Sequence, residues 1–475
     1  MTLIPLKVAV VGHTNTGKTS LMRTLMRDVE FGQVSDRPAT TRHVEGATLN
    51  VHGQPVVELY DTPGLEDSIA LLDHLETLRG DDRRLDGPEL IQRFLSDAQA
   101  QPGGRFAQES KAIRQVAASD VALYVIDVRD RVLGKHKDEL EILSLCGRPV
   151  VPVLNFVASP EAQTALWREH VARAGLHAVA EFDTVVLDEH SERRLFEKMR
   201  TLLDRHRDTL TTLIDERAKH RENLARASAS VVAEMLVDVT AFRVMVPLES
   251  DPASATEVAR LRQLVRQREQ RCVKDLLELH RFRMEDVQAG DLPIVDGQWG
   301  IDLFSPAALK QFGIRTGSAA AAGAVAGFTI DAIAHGMTLG AATALGAAIG
   351  GTLGLAQTHG RRLVDRMRGM SEFACDHQTM LLLATRQCAL VHALMRRGHA
   401  SVKPIEMQPK AEAQTAKSIA KKLPPVLDEV RLHADWSSLT EHAGISGLTS
   451  PGRKAAVDKL TSDLLPFVIG STHTT

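Results

Sequence analysis

Two rhythms of apolar and polar residues divide this 475-residue chain. Up to about residue 190, short apolar and β-branched runs recur: Leu6, Val8, Ala9, Val10 and Val11; a stretch near Glu45 to Val51; VVELYD at 56 to 61; Val121 to Val128; Val150 to Phe156; and His177 to Thr184. Helical spacings fall between them, the first being Leu21, Met22, Leu25 and Met26. Such alternation predicts an α/β fold, a mostly parallel sheet with helices on both faces and ligands at the carboxyl ends of its strands. The segment from Glu66 to Ser119 is too long for a bare loop. The spacing of Ile69, Leu72, Leu75 and Leu78, and again around Leu90, Phe94 and Leu95, predicts helices within it.

From Ser191 the period changes to that of long helices, and the half that follows reads as all-α. Leu195, Met199, Leu202, His206, Leu210 and Leu213 keep a spacing of three and four, continuing less strictly through Val232, Leu236 and Val239 to Pro247. Asp251 and Pro252 then open a second helix with the stripe Val258, Leu261, Val265, Cys272, Leu276 and Leu279. The stripes are narrow, which suits antiparallel pairing or a short coiled coil, and the flanking arginines read as a solvated face. Residues 317–357 are almost free of charge and rich in alanine and glycine; Gly323 and Gly327, Gly336 and Gly340, and Gly346, Gly350 and Gly354 are spaced by four. That spacing lets helix backbones approach closely and predicts a helical hairpin with a turn near Asp331 and His335. Its first limb, about 14 residues, covers about 21 Å at 1.5 Å per residue, short of a hydrocarbon layer of about 30 Å. The hairpin therefore reads either as inserted in or docked on a membrane, or as a tightly packed soluble pair. In the first case Arg315, Arg361, Arg362, Arg366 and Arg368 hold both ends on the cytoplasmic side, with Trp299, Phe304 and Phe312 at the headgroups. The expected divisions are 1–190 (with 66–119 as an insertion), 191–312, 313–400, and 401–475, a linker and small helical tail.

Chemistry concentrates at the carboxyl end of the first run, where GHTNTGKTS fills positions 12 to 20 between a strand and a helix. In this context GxxxxGKT is a phosphate-binding loop. Gly12 and Gly17 let the backbone curl so that successive N–H groups converge on phosphate oxygens, with Asn15, Thr16 and Ser20 completing the cradle. Lys18 adds a point charge, and the Thr19 hydroxyl is the expected ligand of a magnesium ion bridging the β- and γ-phosphates. Downstream, Asp61, Thr62, Pro63 and Gly64 form DxxG: the carboxylate holds magnesium through water, and the Gly64 amide senses the γ-phosphate. Thr41, in the polar stretch Ala39 to Arg42, completes the metal shell only when the third phosphate is present.

The order GHTNTGKTS, TTR, DTPG resembles the TrmE/Era class of P-loop GTPases over roughly the first 190 residues. It is similar to bacterial members that carry a carboxyl-terminal domain of unknown function. The resemblance implies GTP hydrolysis to GDP and phosphate, with catalytic roles for Lys18, Thr41, Gly64 and Glu66. It also implies a potassium ion held by Asn15, supplying the charge that other GTPases take from an arginine finger. By position, residues 66–119 read either as an enlarged switch II that reports nucleotide state to a partner or as a passive surface insertion. Two departures stand out. Leu65 occupies the place of a water-orienting glutamine, leaving Glu66 or Asp67 to position water. The base-recognition motif NKxD is replaced by Asn155, Phe156, Val157 and Ala158. Phe156 can stack in place of the lysine stem, but Ala158 accepts no hydrogen bond, and guanine preference is then inherited from the resemblance unless another acid such as Asp183 moves in.

Composition bounds the remainder. With 44% hydrophobic and 25% charged residues the chain can bury sizeable cores, and a net charge of −3 argues against a bulk nucleic-acid binder. No cleavable signal is readable, and Cys146, Cys272, Cys375 and Cys388 form no CxxC pair, which fits reduced thiols in a cytoplasm. Cys375, His377, Cys388 and His392 would be scattered by one continuous helix, so no zinc site is expected there. The resulting expectation is a magnesium- and potassium-dependent GTP switch, cytoplasmic or peripheral at an inner membrane. Its partners would be guanine nucleotide, a membrane or membrane protein, and a second copy paired through the nucleotide domain or the long helices. The alternatives are a nucleotide-binding scaffold with negligible turnover and an RNA- or ribosome-associated GTPase.

Overall fold

The computed structural model describes residues 4–26, 45–81, 84–184, 190–247, 251–281, 294–295, 298–299, 301–305, 308, 314, 328–330, 370–396, 416–421, 423–440 and 445–469. Two compact units emerge, Met1–Arg221 with Arg396–Lys403, and Glu222–Met395 with Pro404–Thr475.

In the first unit, β1 (Leu6–Val11) leads into α1 (Lys18–Met26), followed by the hairpin β2 (Glu45–Val51) and β3 (Gln54–Asp61). Then come α2 (Ser68–Arg79), α3 (Gly87–Ser96), α4 (Ala107–Ala118), β4 (Val121–Asp127), α5 (Gly134–Leu145), β5 (Val150–Asn155), α6 (Thr164–Arg173), β6 (Ala180–Glu181) and α7 (Ser191–Leu202). The sheet order is β2-β3-β1-β4-β5-β6, parallel except for β2. Alternation along the strands fills both faces. Ala9, Val11, Ala122, Tyr124, Ile126 and Leu154 pack under α2 to α6. Val8, Val10, Leu123, Val125, Val151 and Val153 pack against Leu21 and Leu25 of α1 and Leu195, Phe196 and Met199 of α7. The expected mostly parallel sheet is present.

Several expectations are corrected in detail. The strand read over His177 to Thr184 shrinks to Ala180–Glu181, because the residues after it turn their polar groups to Asn155 and Ala158. Residues 66–119 do form helices, but the buried face of α2 is Ser68, Leu71 and Leu75, and Ile69 is 57% exposed. The stripe from Leu195 to Leu213 is interrupted: α7 ends at Leu202, itself exposed, and a single 3-10 turn at Asp204–His206 precedes the long helix α8 (Arg207–Ala241). The turn preserves the spacing while redirecting the chain, so His206, Leu210 and Leu213 remain buried.

The second unit is predominantly helical, as expected. Later turns of α8, α9 (Asp251–Leu279), α10 (His377–Arg396) and a final helix, Pro451–Ile469, share one core containing Val232, Leu236, Val265, Cys272, Leu276, Leu383, Val391 and Leu460. It is not wholly α. Arg243–Pro247 and Phe328–Ile330 flank Met370–Cys375 in an antiparallel three-stranded sheet, and Ile294–Val295 pairs with Gln298–Trp299. The sheet lacked a sequence signal because its strands are short and lie far apart along the chain. Trp299 and Phe304, expected at a headgroup surface, are buried in this core, with the Arg386 guanidinium 5.1 Å from the Trp299 ring. Arg268 departs from the solvated face and bonds buried Asp238 at 2.7 Å. Of residues 317–357 only Phe328–Ile330 is described, as strand; the remainder of the expected hairpin, and Phe312, lie outside the described residues. Among the described residues no helix is long and apolar enough to cross a membrane, and no group of three or more His, Cys, Asp or Glu side chains could hold a metal ion.

Candidate nucleotide site

The carboxyl ends of β1, β3, β4 and β5 converge in register: Val10 lies opposite Asp61, and Asp127 opposite Asn155. The glycine loop leaves β1 at this edge. Gly12 and Gly17 have φ of 144° and 92°, and Asn15 adopts a left-handed φ of 65°. No side chain fits at the two glycines, since a Cβ on Gly12 would sit 2.4 Å from the Val125 carbonyl oxygen and one on Gly17 2.3 Å from Asn155 Nδ2. Within the loop the Thr16 hydroxyl donates to the His13 carbonyl at 3.0 Å. The buried Lys18 ammonium donates to the Gly12 and His13 carbonyls at 3.2 and 2.8 Å. Burial pushes its pKa down, opposed by the charges of Asp61, Glu139 and Glu66. Ser20 follows in the first turn of α1, where its carbonyl accepts from Thr24.

Thr19 and Asp61 face each other, the hydroxyl donating to the carboxylate at 2.5 Å. A hydroxyl and a carboxylate are hard oxygen donors of the kind magnesium takes, so the pair fits that ion. Thr62 anchors the following segment by donating to the Val10 carbonyl at 2.8 Å. Gly64 abuts the loop so closely that a Cβ there would lie 2.7 Å from Thr14 Oγ1. The two acids considered for water positioning separate. Glu66 is exposed and accepts from the Thr14 hydroxyl at 3.0 Å, whereas Asp67 is paired with Arg105 at 2.6 Å. Thr41 lies outside the described residues.

At the other end, Asn155 ties three segments together. Its Nδ2 donates to the Thr16 carbonyl at 2.9 Å, and its Oδ1 accepts from the Thr184 amide and hydroxyl at 3.0 and 3.1 Å and from the Phe156 amide at 2.9 Å. Phe156 has a left-handed φ of 62°, and its ring lies 3.9 Å from the Arg129 guanidinium, itself paired with Asp127 at 2.6 Å. Ala158 donates its amide to Asp183 Oδ2 at 3.0 Å.

Sequence reading missed one group altogether. His13 Nδ1 lies 3.0 Å from fully buried Glu139 and 3.3 Å from the Leu65 carbonyl, and its Nε2 lies 2.8 Å from Lys135 Nζ. Tyr124 donates to the other Glu139 oxygen at 2.6 Å. Lysine supplies only donors, so Nε2 accepts and the proton sits on Nδ1, facing Glu139. The network fastens the phosphate loop to α5 and to the residue after Gly64. No local pattern marks it, because its members lie on separate elements.

Residues 7–156 match the family described as 50S ribosome-binding GTPase, and residues 168–461 match the domain of unknown function DUF3482. The chain is 40% identical over 79 residues to the tRNA modification GTPase MnmE of Jannaschia sp. (strain CCS1), covering 17% of this chain and 18% of that protein. MnmE of Thermoanaerobacter sp. (strain X514) is 28% identical over 140 residues, covering 30% and 28%. GTPase Der of Akkermansia muciniphila is 30% identical over 154 residues, covering 32% and 26%. This chain thus spans less than a third of the length of these relatives. Among solved structures, an Aquifex aeolicus Era variant bound to GDP and AlF4− aligns over 38% of this chain and 51% of that one, with 18% identity and a TM-score of 0.27.

Proposed function

We propose, for a chain that belongs to the DUF3482 family and carries an amino-terminal P-loop GTPase domain, that it hydrolyses GTP to GDP and phosphate as a nucleotide switch. The observation that carries this reading is the Thr19–Asp61 pair beside Lys18, with Gly64 pressed against the loop. Lys18 and the loop amides would hold the β- and γ-phosphates, and Thr19 and Asp61 would hold magnesium. Magnesium, when bound, would neutralise charge on the phosphate oxygens. Glu66, which accepts from the Thr14 hydroxyl at the loop, would orient the water. The water oxygen bonds to the γ-phosphorus as the bond to the β–γ bridging oxygen breaks. GDP leaves with that electron pair, and the water proton passes to a phosphate oxygen.

Asn15 supports a monovalent cation in the same reading. It is exposed on the loop with a left-handed backbone, so its side-chain carbonyl is available to potassium. Phosphate release from GTP, measured in KCl and in NaCl for the wild type and for Lys18→Ala, tests the proposal. Faster release in KCl, abolished by the substitution, is expected. Near-zero rates in both salts would leave a binding scaffold instead.

The helices of residues 66–119 continue directly from the Gly64 segment, which suits them to report nucleotide state to a partner. Coupling to a membrane rests on the composition of residues 317–357. Liposome flotation of the full chain with and without them tests it, and recovery of both forms in the soluble fraction would remove that coupling.

A further inference from the structure

We propose that Asp183 is the residue that reads the base, supplying from the end of β6 the carboxylate that Ala158 cannot, while the Phe156 ring backed by Arg129 is the surface on which the base stacks. The inference rests on the nucleotide reading above and specifies the base.

Three observations support it. First, the phosphate loop and Asp183 are joined by a short relay: Thr16 to Asn155 at 2.9 Å, Asn155 to the Thr184 amide at 3.0 Å, and Asp183 one residue earlier. Second, Asp183 is 5% exposed and its carboxylate is held against the residue 158 backbone by the 3.0 Å bond from the Ala158 amide. It therefore occupies the neighbourhood in which a side chain at 158 would have served. A carboxylate accepts about four hydrogen bonds in all. Third, Phe156 is held in an uncommon left-handed conformation by its amide bond to Asn155, with its ring beside Gly17 and the Arg129 guanidinium stacked 3.9 Å away.

The chemistry then divides. Stacking on an aromatic ring is indifferent to which base is stacked, because every base presents a π-face. Discrimination falls to the carboxylate. Guanine offers it two donors, N1–H and the 2-amino group, whereas adenine presents an acceptor at N1 that the charge repels. A lost charge-assisted pair corresponds to roughly a tenfold to hundredfold change in affinity.

The test measures affinities of the full chain for the Mg2+ complexes of GDP, ADP and xanthosine diphosphate. Asp183→Asn retains an oxygen for the Ala158 amide. Its new amide donor suits the 2-carbonyl of xanthine. The expected result is a loss of GDP affinity of about tenfold to a hundredfold, a gain for xanthosine diphosphate, and restoration of GDP preference when Ala158→Asp is added. Phe156→Leu should weaken all three ligands in parallel. A wild type that binds GDP and ADP equally, or an Asp183→Asn variant that binds GDP as the wild type does, would overturn the assignment and leave nucleotide binding intact. Failure of the wild type to bind any of the three would overturn the nucleotide reading and this inference together.

Discussion

The Thr19 hydroxyl donates to the Asp61 carboxylate across 2.5 Å, joining the first turn of α1 to the last residue of β3. These two residues would bind the same metal ion, and the fold brings them together because β1 and β3 run parallel with Val10 beside Asp61. Asp61→Ala should lower Mg2+-GDP affinity at least about tenfold, the scale of one charge-assisted contact. Calorimetry repeated in EDTA should show wild type and variant drawing together.

Two glycines of positive φ should respond differently to alanine. At Gly17 the new Cβ would meet Asn155 Nδ2 at 2.3 Å, so Gly17→Ala should abolish nucleotide binding. At Gly53, in the β2–β3 turn with φ of 76°, nothing lies within 4 Å. Gly53→Ala should cost about 1 kcal/mol in backbone strain, read by urea unfolding, and leave binding unchanged.

Glu66 and Asp67 are adjacent but differ in surroundings. Glu66→Gln should reduce kcat for GTP by about tenfold or more while leaving GDP affinity in place, since its side chain bonds the flank of the loop at Thr14. Asp67→Asn removes an exposed pair with Arg105 and should change stability by less than about 1 kcal/mol with kcat retained.

Burial against Trp167 pushes the His136 imidazole down to about 4, with Lys135, His13 and His170 adding to the effect and Glu139 opposing it. Its Nδ1 accepts the Leu133 amide at 3.1 Å. Between about 6.5 and about 4 the unfolded chain binds the proton that the folded chain refuses, so this contribution is complete above the upper value and is lost as pH falls through the window. The full effect is at most about 3 kcal/mol. Urea unfolding at pH 7, 6 and 5 should show a steeper decline for the wild type than for His136→Gln.

Much of the nucleotide domain was legible in the chain. Strand β1, the loop and α1 are contiguous, and the loop's geometry follows from two glycines whose conformations other residues resist. The stripe of α9 was equally readable, with Val258, Leu261, Val265, Cys272 and Leu276 all buried. Periodicity misled at Leu202, where a 3-10 turn restores the count after the helix has ended. It was silent about Met370–Cys375, whose pairing with Arg243–Pro247 spans more than a hundred residues. Arg268 showed the limit of charge as a guide, since its buried partner Asp238 lies on another helix.

What the residue order settled is the local chemistry: a loop able to hold phosphates, a hydroxyl and a carboxylate suited to magnesium, and the mostly parallel sheet that presents them. It also revealed that the side chain at residue 158 offers no acceptor. Tertiary structure alone decided which groups stand beside that machinery, Glu139 at His13, Glu66 at Thr14 and Asp183 at Ala158. The reason is that backbone conformation follows from neighbours along the chain, whereas side chains separated by 25 to 126 residues meet only once the strand order β1-β4-β5-β6 is set.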